Sequence, residues 1–329
     1  MYLLFVLCYT LSSSYVPRWD GFALHEQYQR FFNQTHQVHL TTQPSTVPST
    51  GIHYHQAHPR NYHFIMDNTE VCKTKNPFLV LMVPVAPHNV AARDAIRKTW
   101  ANNSLVQGKV VLTLFMLGLP NRDNAEQLRE KLKRENLQHN DLIQSDFMDT
   151  YRNLTIKTMV IMDWLATHCT TAAYAMKVDS DVFLNIDNLV TMLQKPDIPK
   201  QDYLTGMLLR NRPVVRSKNS KWYVPKEMYP DPIYPIYPQG MGYVFSNDLP
   251  EKFVEISKII KPFYIEDAYI GMCLKKLGIP PTSPPEPSQF KYFSKYNRCK
   301  YSKTITYILR SAKQLVKYWT DVKKPGPPC

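Results

Sequence analysis

Buried strands and helices alternate along the chain from residue 72 onward, and this alternation restricts the fold more than any other feature of the sequence. Residues 77–83 (PFLVLMV) and 109–117 (KVVLTLFML) are continuous apolar runs, as expected of strands that are buried on both faces. The other predicted elements are shorter strands at 141–146 and 173–178 and helices at 93–101, 122–138 and 153–168. Such close alternation predicts an α/β domain with a doubly wound, mostly parallel sheet.

The first 71 residues lack this pattern and predict a targeting segment followed by a stem. Residues 1–11 are an apolar run without basic residues ahead of it, so they predict a signal peptide or the end of a truncated signal anchor; a buried N-terminal strand is the structural alternative. Residues 12–71 hold seven of the ten histidines among Gln, Thr, Ser and Pro, without helical or strand periodicity. This composition favours a disordered, solvated stem over a metal-binding segment. The sequence contains no run of 18 apolar residues, which excludes a protein with several membrane spans.

Positive charge is concentrated at the C-terminal end of the chain. The formal net charge is +13, and residues 291–329 carry ten basic side chains and one acidic side chain, Asp321. A basic end of this kind can bind nucleic acid, an acidic membrane surface or an anionic substrate. The sequence has no zinc-finger spacing, RRM motif or homeodomain-like helix, and nucleic acid is therefore not the expected partner.

Cysteines and glycosylation triplets favour a secretory route. The six cysteines show no C-x-x-C spacing, which argues against a zinc site or a thioredoxin-type site. Cys8 lies in the targeting segment, so five cysteines remain for an oxidising lumen, and one of them must stay unpaired or pair between chains. N-glycosylation triplets begin at Asn33, Asn102 and Asn153.

Two carboxylates follow the strand predicted at 173–178. Asp179 and Asp181 form the one D-x-D sequence in the chain. Ligands bind at the carboxyl ends of strands in an open α/β sheet. Two carboxylates at this spacing can face one Mg²⁺ or Mn²⁺ ion that keeps positions open for diphosphate oxygens. About one such pair is expected by chance in a chain of this length, so it is the position after a strand that favours a functional site.

Two later clusters could complete such a site. Residues 234–246 (YPIYPQGMGYVFS) contain Gly240 and Gly242, which allow a backbone to approach a ligand closely, and tyrosines whose flat faces suit a sugar ring. A structural turn would explain the glycines equally well. Glu266 and Asp267 open a predicted helix, where an acid is either a cap that favours the helix dipole or a general base for an incoming hydroxyl.

With these motifs, residues 72–329 resemble the β-1,3-glycosyltransferases of glycosyltransferase family 31, which include the β-1,3-galactosyltransferases and the β-1,3-N-acetylglucosaminyltransferases. The segments that carry the resemblance occur in the family's order: 93–100 (RDAIRKTW), 115–118 (FMLG), 146–158 (DFMDTYRNLTIKT), 179–181 (DSD), 221–225 (KWYVP), 240–243 (GMGY) and 266–274 (EDAYIGMCL). The DSD segment and residues 217–223 (SKNSKWY) are more similar to the galactosyltransferase branch.

The resemblance implies a GT-A catalytic domain over residues 72–329, with a Rossmann-like sheet, that inverts the sugar and uses a UDP-sugar donor and Mn²⁺. Asp267 matches the family's general base. The other implied roles are Arg93 and Arg97 at the nucleotide, Lys157, Gly240 and Gly242 beside the donor, Asp179 at the donor and metal, Asp181 as a metal ligand, and Trp222, Tyr223 and Glu266 at the acceptor.

The implied function is transfer of galactose from UDP-galactose to a terminal N-acetylglucosamine of glycoprotein or glycolipid glycans. The implied location is the Golgi membrane, with a single N-terminal anchor of type II topology and a lumenal catalytic domain. Two alternatives are a β-1,3-N-acetylglucosaminyltransferase of the same fold and a catalytically weak relative that binds UDP-sugars or glycans.

Two residues depart from the family pattern. Ile308 aligns with a histidine that family members usually carry as a further metal ligand, and an isoleucine side chain cannot ligate a metal. This departure is the reason for the alternative of a weak or inactive relative. Pro238 stands where close galactosyltransferase relatives have a cysteine, which would account for the odd number of lumenal cysteines.

Overall fold

The computed structural model describes residues 62–120 and 125–329. In chain order its strands are β1 (Phe64–Met66), β2 (Leu79–Pro84), β3 (Leu105–Val106), β4 (Lys109–Leu119), β5 (Leu142–Met148), β6 (Tyr174–Val178), β7 (Val182–Leu184), β8 (Leu204–Leu209), β9 (Tyr237–Ser246) and β10 (Thr306–Ile308). Its α-helices are α1 (Val71–Lys75), α2 (Val90–Arg97), α3 (Ala125–His139), α4 (Leu154–His168), α5 (Ile186–Leu193), α6 (Leu249–Ile256), α7 (Glu266–Leu277), α8 (Arg298–Lys303) and α9 (Ala312–Val322). The predicted targeting segment, Asn33 and the stem up to residue 61 lie outside the described residues.

The central sheet accounts for the continuous apolar runs. Its strands lie in the order β1-β5-β4-β2-β6-β9-β8, with β3 paired to the start of β4. Strands β5, β4, β2 and β6 are parallel, whereas β1, β9 and β8 pair antiparallel with their neighbours. Every residue of β2 is buried, because α2 packs beside one face of the strand and α4 contacts the strand as well. The prediction of a mostly parallel α/β sheet is confirmed.

The predicted strands and helices are present, with shifted ends. Helix α2 begins three residues before its predicted start, because the side chain of Asn89 caps it by accepting a hydrogen bond from the Ala92 amide at 3.3 Å. The predicted start of the domain at Cys72 is wrong. Strand β1 pairs with β5, so the fold begins at or before Phe64, and a three-residue edge strand is too short to show a periodic sequence signal.

The carboxyl ends of the parallel strands bring the polar segments together. Asp179 follows β6, and β9 lies antiparallel to β6 with Gly242 opposite Val178. Helix α7, which begins with Glu266, packs against β9. The short strands β7 and β10 pair antiparallel, so the C-terminal part of the chain also reaches this edge of the sheet.

Two disulfide bonds join Cys72 to Cys169 and Cys299 to Cys329. Cys273 is free and buried in α7, so one of the five cysteines that follow the predicted targeting segment is unpaired within the chain, as the sequence predicts. Across residues 62–120 and 125–329, no helix combines the length and the apolar character that crossing a membrane requires.

Candidate functional site

Lys177 lies at the centre of the carboxylate cluster. Its ammonium group contacts Asp179 Oδ1 at 2.6 Å, the Gly240 carbonyl oxygen and, at 3.4 Å, Glu266 Oε2. The residue is 5% exposed. Burial by itself lowers the pKa of Lys177, but the Asp179 and Glu266 carboxylates outweigh burial and raise it, so the group is charged. The buried Lys177 ammonium therefore contacts the D-S-D segment at Asp179, strand β9 at Gly240 and helix α7 at Glu266.

Asp267, in the first turn of α7, is held by two backbone amides. Its Oδ2 accepts a hydrogen bond from the Gly240 amide at 3.2 Å, and its Oδ1 accepts one from the Ala268 amide at 2.8 Å. Burial, followed by the negative charge of Glu266, raises the pKa of Asp267 to about 6. A fixed carboxylate whose pKa lies near neutrality is suited to general base catalysis.

Glu266 is turned into the protein, which argues against its predicted role at the acceptor. The residue is 8% exposed. Its Oε1 accepts a 2.6 Å hydrogen bond from the Tyr243 hydroxyl, and its Oε2 faces Lys177. Both oxygens are thus engaged inside the protein. In this arrangement Glu266 positions Lys177 and does not face a substrate.

Asp181 is exposed beside the partly exposed Asp179. Although the residue as a whole is exposed, the surrounding protein atoms partly desolvate its carboxylate; this desolvation and then the charge of Asp179 raise the pKa of Asp181 to about 6. Hard divalent cations accept one or two carboxylates together with phosphate oxygens and water, and Asp179 with Asp181 fits such a donor set. Among the described residues no group of three or more His, Cys, Asp or Glu side chains could hold a metal ion.

Ile308 lies beside the D-S-D segment. In the pairing of β10 with β7 it stands opposite Val182, and the Leu309 amide donates a 2.7 Å hydrogen bond to the Asp181 carbonyl oxygen. The position that aligns with the family histidine is therefore next to Asp181 along the neighbouring strand. An aliphatic side chain occupies it.

The two arginines of α2 form an ion-pair network with carboxylates that follow in the chain. Arg93 has no exposed surface, and its guanidinium donates to both Glu135 oxygens at 2.6 and 2.7 Å and to the carbonyls of Ala86 and Pro87. Direct contact between Arg93 and a nucleotide, as predicted, is incompatible with this burial. Arg93 instead holds the loop that follows β2.

Arg97 belongs to the same network. It is bidentate to Asp141, with two distances of 2.8 Å, and also contacts Glu135 and Asp94. Burial opposes the charge on Arg97, but these hydrogen bonds outweigh it and raise the pKa above the ordinary value. The predicted nucleotide contact competes with these carboxylates and remains a prediction.

Lys157 ties together the ends of three parallel strands. Its ammonium donates to the Val85 carbonyl at 2.9 Å and to Asp149 Oδ2 at 2.7 Å, and the same Asp149 oxygen accepts from the Gly118 amide at 3.0 Å. Burial lowers the pKa of Lys157, and the charge of Asp149 offsets only part of that effect. Lys157, which was predicted to lie near the donor, is thus a buried lysine that joins the ends of β2, β4 and β5 through Asp149 and Val85.

Two exposed aromatic rings meet at Lys221: Trp222, in the segment after β8, and Tyr151, which follows β5. Trp222 is 50% exposed and Tyr151 is 48% exposed. The Lys221 ammonium lies 4.6 Å from the Trp222 ring centroid and 5.7 Å from that of Tyr151. Burial raises the pKa of Tyr151, a hydrogen bond with Trp222 lowers it, and the charges of Asp267 and Asp179 raise it further, so the ring lies within electrostatic range of the carboxylates.

Sequence reasoning predicted Trp222 and Tyr223 in this region but missed Lys221, Tyr151 and Lys177. Tyr223 is half-buried. Lys177 had a detectable signal, since it is a lone charge within an apolar strand, two residues before the D-S-D segment. Tyr151 lies in the 146–158 segment that carries the family resemblance, but its distance from Trp222 along the chain hides the contact between them.

The described glycosylation triplets have different surroundings. Asn102 is exposed, and its modification stays a prediction. Asn153 is 4% exposed, and its Nδ2 donates a 2.8 Å hydrogen bond to the Met148 carbonyl. A glycan attaches through that nitrogen and needs open space around it, so the prediction for Asn153 is wrong for the folded protein.

Residues 91–285 match the family model described as Galactosyltransferase. The chain belongs to this galactosyltransferase family. It is 41% identical over 292 residues to the human protein named beta-1,3-galactosyltransferase 2, covering 87% of this chain and 69% of the relative. It is 36% identical over 286 residues to the mouse protein named beta-1,3-galactosyltransferase 1, with 86% of each chain covered.

Among solved structures, this galactosyltransferase-family chain is similar to galactosyltransferase LgtC in complex with donor and acceptor sugar analogues. The two are 12% identical, the TM-score is 0.37, and the match covers 75% of this chain and 97% of that chain. Family membership identifies the chain as a hexosyltransferase, in agreement with the resemblance found in the sequence.

Proposed function

We propose that this chain is an inverting β-1,3-galactosyltransferase that transfers galactose from UDP-galactose to a hydroxyl of a terminal N-acetylglucosamine. The observation that carries the proposal is the position of Asp267, which is fixed by the Gly240 and Ala268 amides and joined to the D-S-D segment through Lys177. The names of the relatives support the transferred sugar and the linkage.

Asp267 acts as the general base in this mechanism. A sugar hydroxyl is a weak nucleophile at neutral pH, so a base must accept its proton while the oxygen attacks the anomeric carbon. The bond between that carbon and the diphosphate oxygen breaks on the opposite face, UDP leaves, and the configuration inverts. Two amide donors fix the Asp267 carboxylate, so one rotamer is favoured before substrate binds.

Gly240 contacts both Asp267 and Lys177: its amide donates a hydrogen bond to Asp267, and its carbonyl oxygen accepts one from Lys177. A Cβ atom at this position would lie 3.2 Å from Glu266 Oε2 and 3.4 Å from Asp267 Oδ2. A methyl group at this position would therefore press on the Glu266 carboxylate and touch that of Asp267. Gly242, opposite Val178, belongs to the same strand and keeps it close to β6.

Asp181 together with Asp179 would hold Mn²⁺, whose charge offsets the negative charge that develops on the leaving diphosphate. The exposed Asp181 carboxylate supports this assignment, because a metal ligand must be open to the substrate side. Lys177 keeps Asp179 in one orientation through its 2.6 Å contact.

Trp222, Tyr151 and Lys221 form the proposed acceptor platform. Aromatic faces pack on the C–H faces of sugar rings, and both rings are about half exposed. The Lys221 ammonium stiffens the platform through its contacts with the two rings. The two disulfides support a lumenal location, and a Golgi membrane enzyme anchored by its N-terminal segment is part of the same proposal.

The test is a transfer assay with the full chain, offered UDP-galactose or UDP-N-acetylglucosamine and a β-linked N-acetylglucosaminide acceptor, with and without Mn²⁺. The expected product contains a β-1,3-linked galactose, identified by NMR. Transfer of N-acetylglucosamine in preference to galactose contradicts the donor assignment. Consumption of neither donor at any Mn²⁺ concentration contradicts the enzyme assignment.

The base is tested with Asp267→Asn, a change that keeps the shape of the side chain. We expect turnover to fall on the order of 10²- to 10⁴-fold, whereas the affinity for UDP stays within about twofold. The control is Asp197→Asn, which removes the same charge from an exposed carboxylate. Wild-type turnover in Asp267→Asn rules out Asp267 as the base.

A further inference from the structure

A pocket of about 220 Å³ lies in the C-terminal part of the chain, and the proposed mechanism leaves it without a role. The side chains that define it are Phe293, Lys295, Tyr296, Ile308, Arg310 and Tyr318. Pockets for drug-sized ligands usually measure about 300–1,000 Å³, so this one suits a single small ring.

The walls of the pocket are aromatic and ordered by stacking. Tyr296 and Tyr318 stack with ring centroids 4.0 Å apart and an interplanar angle of 13°. The Arg310 guanidinium carbon lies 5.6 Å from the centroid of the Phe293 ring, which is 56% exposed. Flat faces of this kind pack against the C–H face of a pyranose.

The charge at the pocket is positive. Lys295 and Arg310 line it, and no carboxylate lies among its lining residues. The one acid in residues 291–329, Asp321, already accepts hydrogen bonds from Tyr296 and Lys324. The field at the pocket therefore favours an anionic group.

The pocket adjoins the proposed donor site through β10. Ile308 lines the pocket and lies opposite Val182. The next residue, Leu309, donates its amide hydrogen bond to the Asp181 carbonyl oxygen. The pocket therefore lies beside the D-S-D segment, and an acceptor glycan that extends past this segment would place a neighbouring sugar in it.

We propose that this pocket binds an acidic sugar residue of the acceptor glycan, with a carboxylate or sulfate group. Arg310 and Lys295 bind the anionic group, and Phe293, Tyr296 and Tyr318 pack against the ring. The inference rests on the proposed function, because it assumes that the acceptor is a glycan. It gives a role to two of the ten basic side chains of residues 291–329, Lys295 and Arg310.

Binding is tested by isothermal titration of the full chain with the methyl glycosides of glucuronic acid and N-acetylneuraminic acid, and with methyl galactoside as the neutral probe. A single small ring is expected to bind with a Kd of about 1–10 mM. We expect at least one acidic probe to bind at least tenfold more tightly than the neutral one. Arg310→Gln should weaken that binding about tenfold, and Lys303→Gln, an equal charge change on an exposed lysine of α8, less than about twofold.

Equal binding of neutral and acidic probes overturns the proposal, and so does an equal effect of the two variants. Displacement of the acidic probe by UDP also overturns it, since the pocket would then belong to the donor site. Transfer of galactose to a neutral acceptor is measured separately and should be unchanged in Arg310→Gln. If the wild-type chain binds the acidic probe but transfers no sugar, the proposed function fails and the binding site stands.

Discussion

Among single residues, Asp267 is expected to set the pH dependence of the reaction, because its burial raises its pKa. Its pKa is raised to about 6 by burial and by Glu266, and the base must be unprotonated to accept a proton. We therefore expect kcat/KM, which reports the free enzyme, to rise with pH up to about 6 and then level off, falling about tenfold per pH unit below that value. A pH–rate profile checks this, and a level profile down to pH 5 contradicts it.

Lys177 is a second residue whose role follows from burial. Lys177→Met removes the cation that faces Asp179 and Glu266 and leaves their negative charges uncompensated. We expect a loss of about 3–5 kcal/mol in the free energy of unfolding, measured by urea denaturation. Adding Glu266→Gln should restore part of it, and Lys73→Met, at an exposed lysine, should change little. A loss below about 1 kcal/mol in Lys177→Met contradicts this role.

At the scale of elements, β9 carries two glycines that are expected to differ. In Gly240→Ala the new methyl group presses on Glu266 and Asp267, whereas in Gly242→Ala it meets the flexible end of Met176 at 3.0 Å. We expect kcat to fall on the order of 10- to 100-fold in Gly240→Ala and less than about threefold in Gly242→Ala. Steady-state kinetics checks this, and equal losses in the two variants contradict it.

The pairing of β10 with β7 allows metal binding near the D-S-D segment to be tested with a variant of β10. Ile308 lies opposite Val182, and the adjacent Leu309 donates its amide hydrogen bond to the Asp181 carbonyl oxygen, so the backbone at residue 308 lies within one strand position of the Asp181 backbone. Ile308→His should tighten Mn²⁺ binding at least about tenfold, measured by electron paramagnetic resonance without substrate, whereas Ile308→Leu should leave it unchanged. Unchanged Mn²⁺ affinity in Ile308→His contradicts the placement of a metal at Asp181.

At the scale of the whole molecule, the two disulfides are expected to contribute unequally. Cys72–Cys169 spans 97 residues and joins α1 to the residue after α4, whereas Cys299–Cys329 spans 30 residues. Chain entropy predicts that replacing the first pair by alanine lowers the free energy of unfolding by about 1 kcal/mol more than replacing the second. Urea denaturation of the two double variants checks this, and the reverse order contradicts it.

Much of the fold could be predicted from the sequence, because strands buried on both faces and amphipathic helices leave local patterns. Residues 77–83 and 109–117 indicated β2 and β4. Local patterns did not indicate β1, since three residues at a sheet edge carry too little periodicity. They also could not show that Asn153 is buried, because that depends on how the segment before α4 packs.

Local sequence patterns were sufficient to predict the α/β order of elements, the place of Asp179 and Asp181 after a strand, and the position of Asp267 in the first turn of a helix. These features depend on neighbours along the chain. Which charges meet depends instead on how distant segments pack. Lys177 pairs with Glu266, 89 residues later, and Arg93 pairs with Glu135, 42 residues later. Glu266 was predicted at the acceptor and Arg93 at the nucleotide, and both side chains form ion pairs inside the protein. Ion pairs between residues so far apart in the chain form because the fold packs and desolvates the two side chains together, and a local sequence pattern does not contain that information.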